Sequence, residues 1–99
     1  MTKEEFIAQL SHFSGKEIYW AQEDLDFMIW DSSEIAYKNK VYEVEESLPG
    51  HIAFGTNGGG EMLCVELSSG ICYAVPFIGL AIEDRMIVAR SVNQLKSII

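Results

Sequence analysis

Long apolar runs are missing from this sequence. None reaches the roughly 18–20 residues that a membrane-spanning helix needs, which excludes such a helix from these 99 residues. Basic residues are scarce, seven against fifteen acidic ones, for a net charge of −8. A field of that sign repels nucleic acid and anionic membrane, so neither is an expected partner. Cysteine is limited to Cys64 and Cys72, whose spacing fits no zinc or thioredoxin-type motif. Two such thiols are expected to be reduced and structural. Histidine is limited to His12 and His51, and no nucleophile-elbow motif occurs. There is no linker-like or low-complexity tract and no internal repeat, which points to one domain over residues 1–99. The opening Met1-Thr2-Lys3-Glu4-Glu5 lacks the basic-then-apolar pattern of a signal peptide, so the expected location is cytoplasmic.

What is present is an ordinary globular composition, 48% apolar and 22% charged, enough apolar material for a small core. The charge is unevenly spread. Residues 1–50 carry eleven acids and four bases, and residues 51–99 carry four acids and three bases. The excess of −7 in the first half would speed association with a basic partner.

Local patterns predict an α+β fold: an antiparallel β-meander packed against a few short helices. Thr2 and Glu5 form a capping box for a helix over Lys3–Phe13, with Phe6, Leu10 and Phe13 as its apolar stripe. Gly15 suits the residue after that helix. Glu17–Trp20 and Phe27–Trp30 read as short strands around an acidic loop. Asp31-Ser32-Ser33-Glu34 reads as a second capping box, with Trp30 and Ile35 as a hydrophobic staple, for a helix to about Asn39. Val41–Glu45 reads as extended, and Leu48-Pro49-Gly50 as a turn.

Ile52–Gly55 is a further predicted strand, and Thr56–Gly60 a loop. Glu61–Leu67 and Ile71–Val75 then form a hairpin. A three-residue turn with Gly70 in the left-handed position pairs Leu67 with Ile71, Val65 with Tyr73, and Leu63 with Val75. That register puts Cys64 and Cys72 diagonally on the opposite face as free thiols. Met62, Glu66 and Ala74 share that half-apolar face, which needs cover from a helix of the chain or from a partner. Phe77–Leu80 reads as extended, Glu83-Asp84 as exposed and Met86–Ala89 as buried. A last helix starts near Ser91, with Gln94 completing a capping box and Val92, Leu95 and Ile98 or Ile99 inside.

One run combines several of these features: Leu48-Pro49-Gly50-His51-Ile52-Ala53-Phe54-Gly55-Thr56-Asn57-Gly58-Gly59-Gly60-Glu61. Trp30 and then Glu34-Ile35 precede it. A hairpin, Val75-Pro76-Phe77-Ile78 and a helix after Ala89-Arg90-Ser91 follow it. This order, over residues 30–99, resembles the SUKH superfamily, which includes the fungal Smi/Knr-type cell-wall assembly regulators. The resemblance implies an α+β fold, no enzymatic activity, no cofactor and no metal. It also implies an immunity-type role, in which the domain binds and neutralises a toxin domain, often a nuclease. The alternative within the family is a regulatory or scaffold module with a non-toxin partner.

Individual residues point the same way. Gly58-Gly59-Gly60 leads into an acid and a strand, whereas a phosphate loop opens a helix and carries Lys with Ser or Thr; a tight hairpin connection is the simpler account. Glu43, Glu45 and Glu46 suit a charged strand edge or contact with a basic partner better than a glycosidase pair. Trp30 is expected in the core. The expected partner-binding set is Tyr19, Trp20, Glu23, Asp24, Asp26, Tyr42, Glu43, Glu45 and Glu46, with the acids steering a basic toxin domain and the rings supplying buried contact.

Overall fold

The computed structural model describes all 99 residues. Six strands form one antiparallel sheet in strict chain order: β1 (Glu17–Trp20), β2 (Leu25–Ile29), β3 (His51–Thr56), β4 (Glu61–Glu66), β5 (Cys72–Pro76) and β6 (Met86–Ala89). The sheet curls into a half-barrel and carries four short helices: α1 (Lys3–Leu10), α2 (Ile35–Val41), α3 (Val44–Ser47) and α4 (Val92–Ser97). The fold is therefore the expected α+β meander. No helix is long and apolar enough to cross a membrane.

The first capping box forms as read: the Thr2 hydroxyl accepts from the Glu5 N–H, and the Glu5 carboxylate accepts from the Thr2 N–H. The α-helix stops at Leu10, and Ser11–Phe13 continue it as a 3-10 turn before Gly15 at φ 76°. The second box is half formed. Asp31 accepts from Ser33, but Glu34 turns instead to Lys38, 3.3 Å away. At the last helix Ser91 caps Gln94, whose side chain takes the N–H of Arg90. Phe77–Leu80 forms a bend and turn rather than a strand.

The extended reading of Val41–Glu45 is overturned. Val41 ends α2, Glu43 adopts a left-handed φ of 53°, and Val44 starts α3. The pivot at Glu43 lets Val44 and Leu48 turn inward to full burial.

The hairpin register is also corrected. Val65 lies opposite Cys72, Leu63 opposite Ala74, and Cys64 opposite Tyr73, one residue from the predicted pairing. The turn contains four residues, Leu67–Gly70, and the Glu66 carbonyl accepts from both Ser69 and Gly70. Cys72 and Ala74 therefore share the face of Leu63 and Val65. Cys64 and Cys72 sit on opposite faces, both free and both buried. The slip carries little cost because the central strands are buried on both faces, with no water-facing side to penalise a wrong phase. The chain itself covers both faces of the hairpin.

The β2–β3 ladder is short. Only Met28–Thr56 and Ile29–Gly55 pair, and Trp30 donates to the Phe54 carbonyl before the chain leaves for α2. The outward backbone groups of Ala53 are met by a side chain instead. The Asn39 carboxamide donates to the Ala53 carbonyl and accepts from the Ala53 N–H, each at 2.8 Å, and also donates to Ile35 O at 2.8 Å. One amide thus stands in for a strand and docks α2 on the sheet. Gly55 completes the junction: a Cβ there would lie 2.5 Å from the Met28 carbonyl oxygen.

Candidate protein-binding surface

The expected partner-binding residues divide into two groups and lose one member. In β1 the side chains alternate, so Ile18 and Trp20 point inward. Trp20 is 5% exposed, with its ring 6.3 Å from that of Phe27. It belongs to the core and is withdrawn from the contact set.

The first group lies on the β1–β2 hairpin. Glu17 pairs with Met28 and Tyr19 with Asp26, which places all four on one exposed face. Asp24 holds a left-handed φ of 52° in the connecting loop, and the Tyr19 hydroxyl donates to its carboxylate at 2.7 Å. That bond, followed by the carboxylate's charge, raises the phenol above its ordinary pKa. Glu23 is exposed beside it.

The second group surrounds the α2–α3 pivot. Tyr42 stacks obliquely on Trp30 at 6.2 Å and meets the edge of Phe77 at 5.1 Å, yet remains 41% exposed. Tyr37 and Val41, one helical turn apart, are 65% and 55% exposed, and Ile78 next to Phe77 is 92% exposed. Lys38 lies over Trp30 at 4.7 Å. Glu43, which follows Tyr42, is exposed, as are Glu45 and Glu46, which line a cleft with Ala36 and Lys40; Glu45 also takes the Gly50 N–H at 3.3 Å. The expected strand edge at these acids is in fact a helix, but their exposure holds.

The two groups are not one surface. Loop 21–24 precedes β2 and Trp30 follows it, so Glu23 and Asp24 lie about 17 Å from the Trp30–Tyr42 stack, the length of a five-residue strand, with Asp26 within that strand. Sequence reasoning misses Tyr37, Val41, Phe77 and Ile78. The i, i+4 spacing of Tyr37 and Val41 is a usable signal, hidden when Val41 is assigned to a strand. Nothing in the sequence marks Ile78 as exposed.

The geometry argues against the alternative chemistries. His51 is 2% exposed and its two ring nitrogens are engaged, Nδ1 with Pro49 O at 3.0 Å and Nε2 with Arg85 Nη1 at 2.9 Å. A guanidinium only donates, so Nε2 accepts and Nδ1 carries the proton. Arg85 also bonds Glu66 at 3.1 Å and lies 4.1 Å over the Tyr73 ring. Glu66 is held below the ordinary carboxylate range, by the Ser69 hydroxyl first and by Arg85 second. This is a closed structural cluster, with no free base pointing at solvent.

The glycine loop is similarly self-satisfied. Asn57 Oδ1 accepts from Gly59 and Glu61, and Thr56 Oγ1 accepts from Gly58, so these N–H groups do not converge on an outside anion. A half-open cleft of about 400 Å³ is lined by Lys3, Lys40, Glu45, Glu46, Asn39 and His51. Its two buried-side polar groups, Asn39 and His51, are both consumed by internal bonds, and the rest is a mixture of exposed charges. No three His, Cys, Asp or Glu side chains are grouped so as to hold a metal ion. Comparison with protein-family models finds no match to this chain, and comparison with curated proteins finds none either.

Proposed function

We propose that this domain is a non-enzymatic binding module that captures a basic protein on the α2–α3 surface. One observation carries the reading: Tyr37, Val41 and Tyr42, with Ile78 next to Phe77, are exposed large apolar or aromatic groups, and Glu43, Glu45 and Glu46 are exposed on the turn and helix that follow α2. Interfaces are commonly built this way, with aromatic and apolar anchors at the centre and charge at the rim. The rings would supply most of the affinity. The carboxylates would raise the association rate and make it sensitive to salt. The resemblance to the SUKH superfamily supports a toxin domain as that partner, a nuclease among the candidates, with neutralisation in the cytoplasm as the biological role.

The test is capture of a basic nuclease toxin domain, at low and at high salt. Binding should be tight and should weaken as salt rises. Tyr37→Ala, at an exposed position, should weaken it by about tenfold or more, within the range of interface anchors. Asp26→Asn, on the separate hairpin group, should have a much smaller effect. No capture and no protection at any salt would overturn the function. Capture indifferent to Tyr37→Ala and to charge removal at Glu43, Glu45 and Glu46 would overturn the surface.

A further inference from the structure

The two edges of the sheet are unlike. The β1 edge is bordered by Lys16 and Glu17 and by the acidic hairpin loop, features that discourage strand addition. The β6 edge reads Met86-Ile87-Val88-Ala89, without charge or proline. The sequence pattern suggests that this segment is buried, but Met86 is 41% and Ile87 37% exposed, and Ile82 just before them is 45% exposed. Since β6 pairs only with β5, its outer backbone N–H and C=O groups have no strand partner.

We propose that β6 pairs with β6 of a second copy, antiparallel across a two-fold axis, to join two sheets edge to edge. The charges around the strand select this occupant. The acidic excess lies in residues 1–50, so a basic partner is steered elsewhere. At the start of β6, Arg85 is neutralised by Glu66, leaving Glu83 and Asp84 uncompensated; at its end stands Arg90. The ion pairs within the chain are Glu34–Lys38 and Glu66–Arg85, and none of Glu83, Asp84 and Arg90 takes part. A two-fold axis through Ile87 sets the Asp84 end of each copy against the Arg90 end of the other. Ile87 meets its own mate at the centre. A two-fold contact must be self-complementary, and this one is.

The ladder is short, because a register shift between Ile87 and Ala89 bends β6. A four-residue edge strand offers little area to bury, so the dimer is of the transient class and forms at high concentration.

Sedimentation equilibrium over rising concentration tests this. The weight-average mass should climb from the 11.1 kDa of one chain towards twice that value. Ile87→Lys should hold the chain monomeric. Asp84→Arg and Arg90→Asp should each weaken association about tenfold, since a charge reversal acts at two symmetry-related contacts. The double variant Asp84→Arg/Arg90→Asp should restore it, and this arm stands even if Ile87→Lys fails to fold. A wild-type chain that stays monomeric throughout overturns the proposal. So does self-association unaffected by Ile87→Lys, or a double variant no better than the singles. None of these outcomes bears on capture of a basic partner at α2–α3.

Discussion

Replacing Asn39 with alanine should remove much of this domain's stability, although Asn39 is only half-buried. Its carboxamide satisfies the N–H and the C=O of Ala53, a residue with no solvent exposure, through two 2.8 Å bonds. Leaving a buried backbone group unpaired costs about 1–3 kcal/mol. Two such groups, partly reachable by water once the side chain is gone, amount to about 3 kcal/mol. Alanine's better helix propensity returns about 0.5 kcal/mol, leaving a net loss of about 2.5 kcal/mol. In a domain of this size that lowers the melting temperature by about 10–20 °C. Thermal and urea unfolding followed by circular dichroism would measure it. Asn39→Asp isolates the mechanism. The carboxylate keeps the acceptor for Ala53 N–H but turns oxygens toward the carbonyls of Ala53 and Ile35. The charged form of the introduced acid is disfavoured in the fold, so its folded pKa would be raised above the unfolded value. The deficit relative to wild type should therefore be largest at neutral pH and shrink as pH falls and the acid regains a proton to donate. A loss below about 1 kcal/mol for Asn39→Ala, or a pH-independent deficit for Asn39→Asp, would refute the account.

Gly55→Ala should cost about 3 kcal/mol or more by driving β2 from β3, since its Cβ would lie 2.5 Å from Met28 O; chemical denaturation would show it. Glu43→Gly should stabilise the domain by up to about 1 kcal/mol by relieving the left-handed φ of 53°, seen as a rise in melting temperature. Cys64 and Cys72, whose thiols burial pushes up to about 12, should resist a thiol reagent at about pH 8 until the chain is unfolded, when both react. Asp24→Asn should return the Tyr19 phenol towards its ordinary pKa, moving its ultraviolet titration to lower pH.

Short-range patterns carried much of the fold. The Thr2–Glu5 capping box, the pair of strands around an acidic loop and the turn at Leu48-Pro49-Gly50 depend on neighbours within a few residues and were legible, although the loop expected at Glu23–Asp26 falls at 21–24 and β2 takes in Leu25 and Asp26 and stops at Ile29. The alternation of Glu17-Ile18-Tyr19-Trp20 was legible too. Adjacent strand residues face opposite ways, so once Ile18 is placed inward Trp20 goes inward with it and Tyr19 outward. Grouping them as contacts overlooked a signal that was present. Val41–Glu45 is different: β-branched and aromatic residues favoured a strand, but the left-handed turn at Glu43 and burial of Val44 against the sheet made it helical.

The sequence by itself determined the helices at the two ends, the antiparallel meander and the concentration of acid in the first half, because each follows from composition or from contacts close along the chain. Tertiary structure alone decided the hairpin register, the role of Asn39 and which apolar residues stay in water. The reason is physical. Central strands buried on both faces carry no alternation to set their phase. The bond from Asn39 to Ala53 spans fourteen residues and exists only because β2 and β3 part company. The exposure of Ile87 depends on β6 being last in the sheet, which no local pattern records.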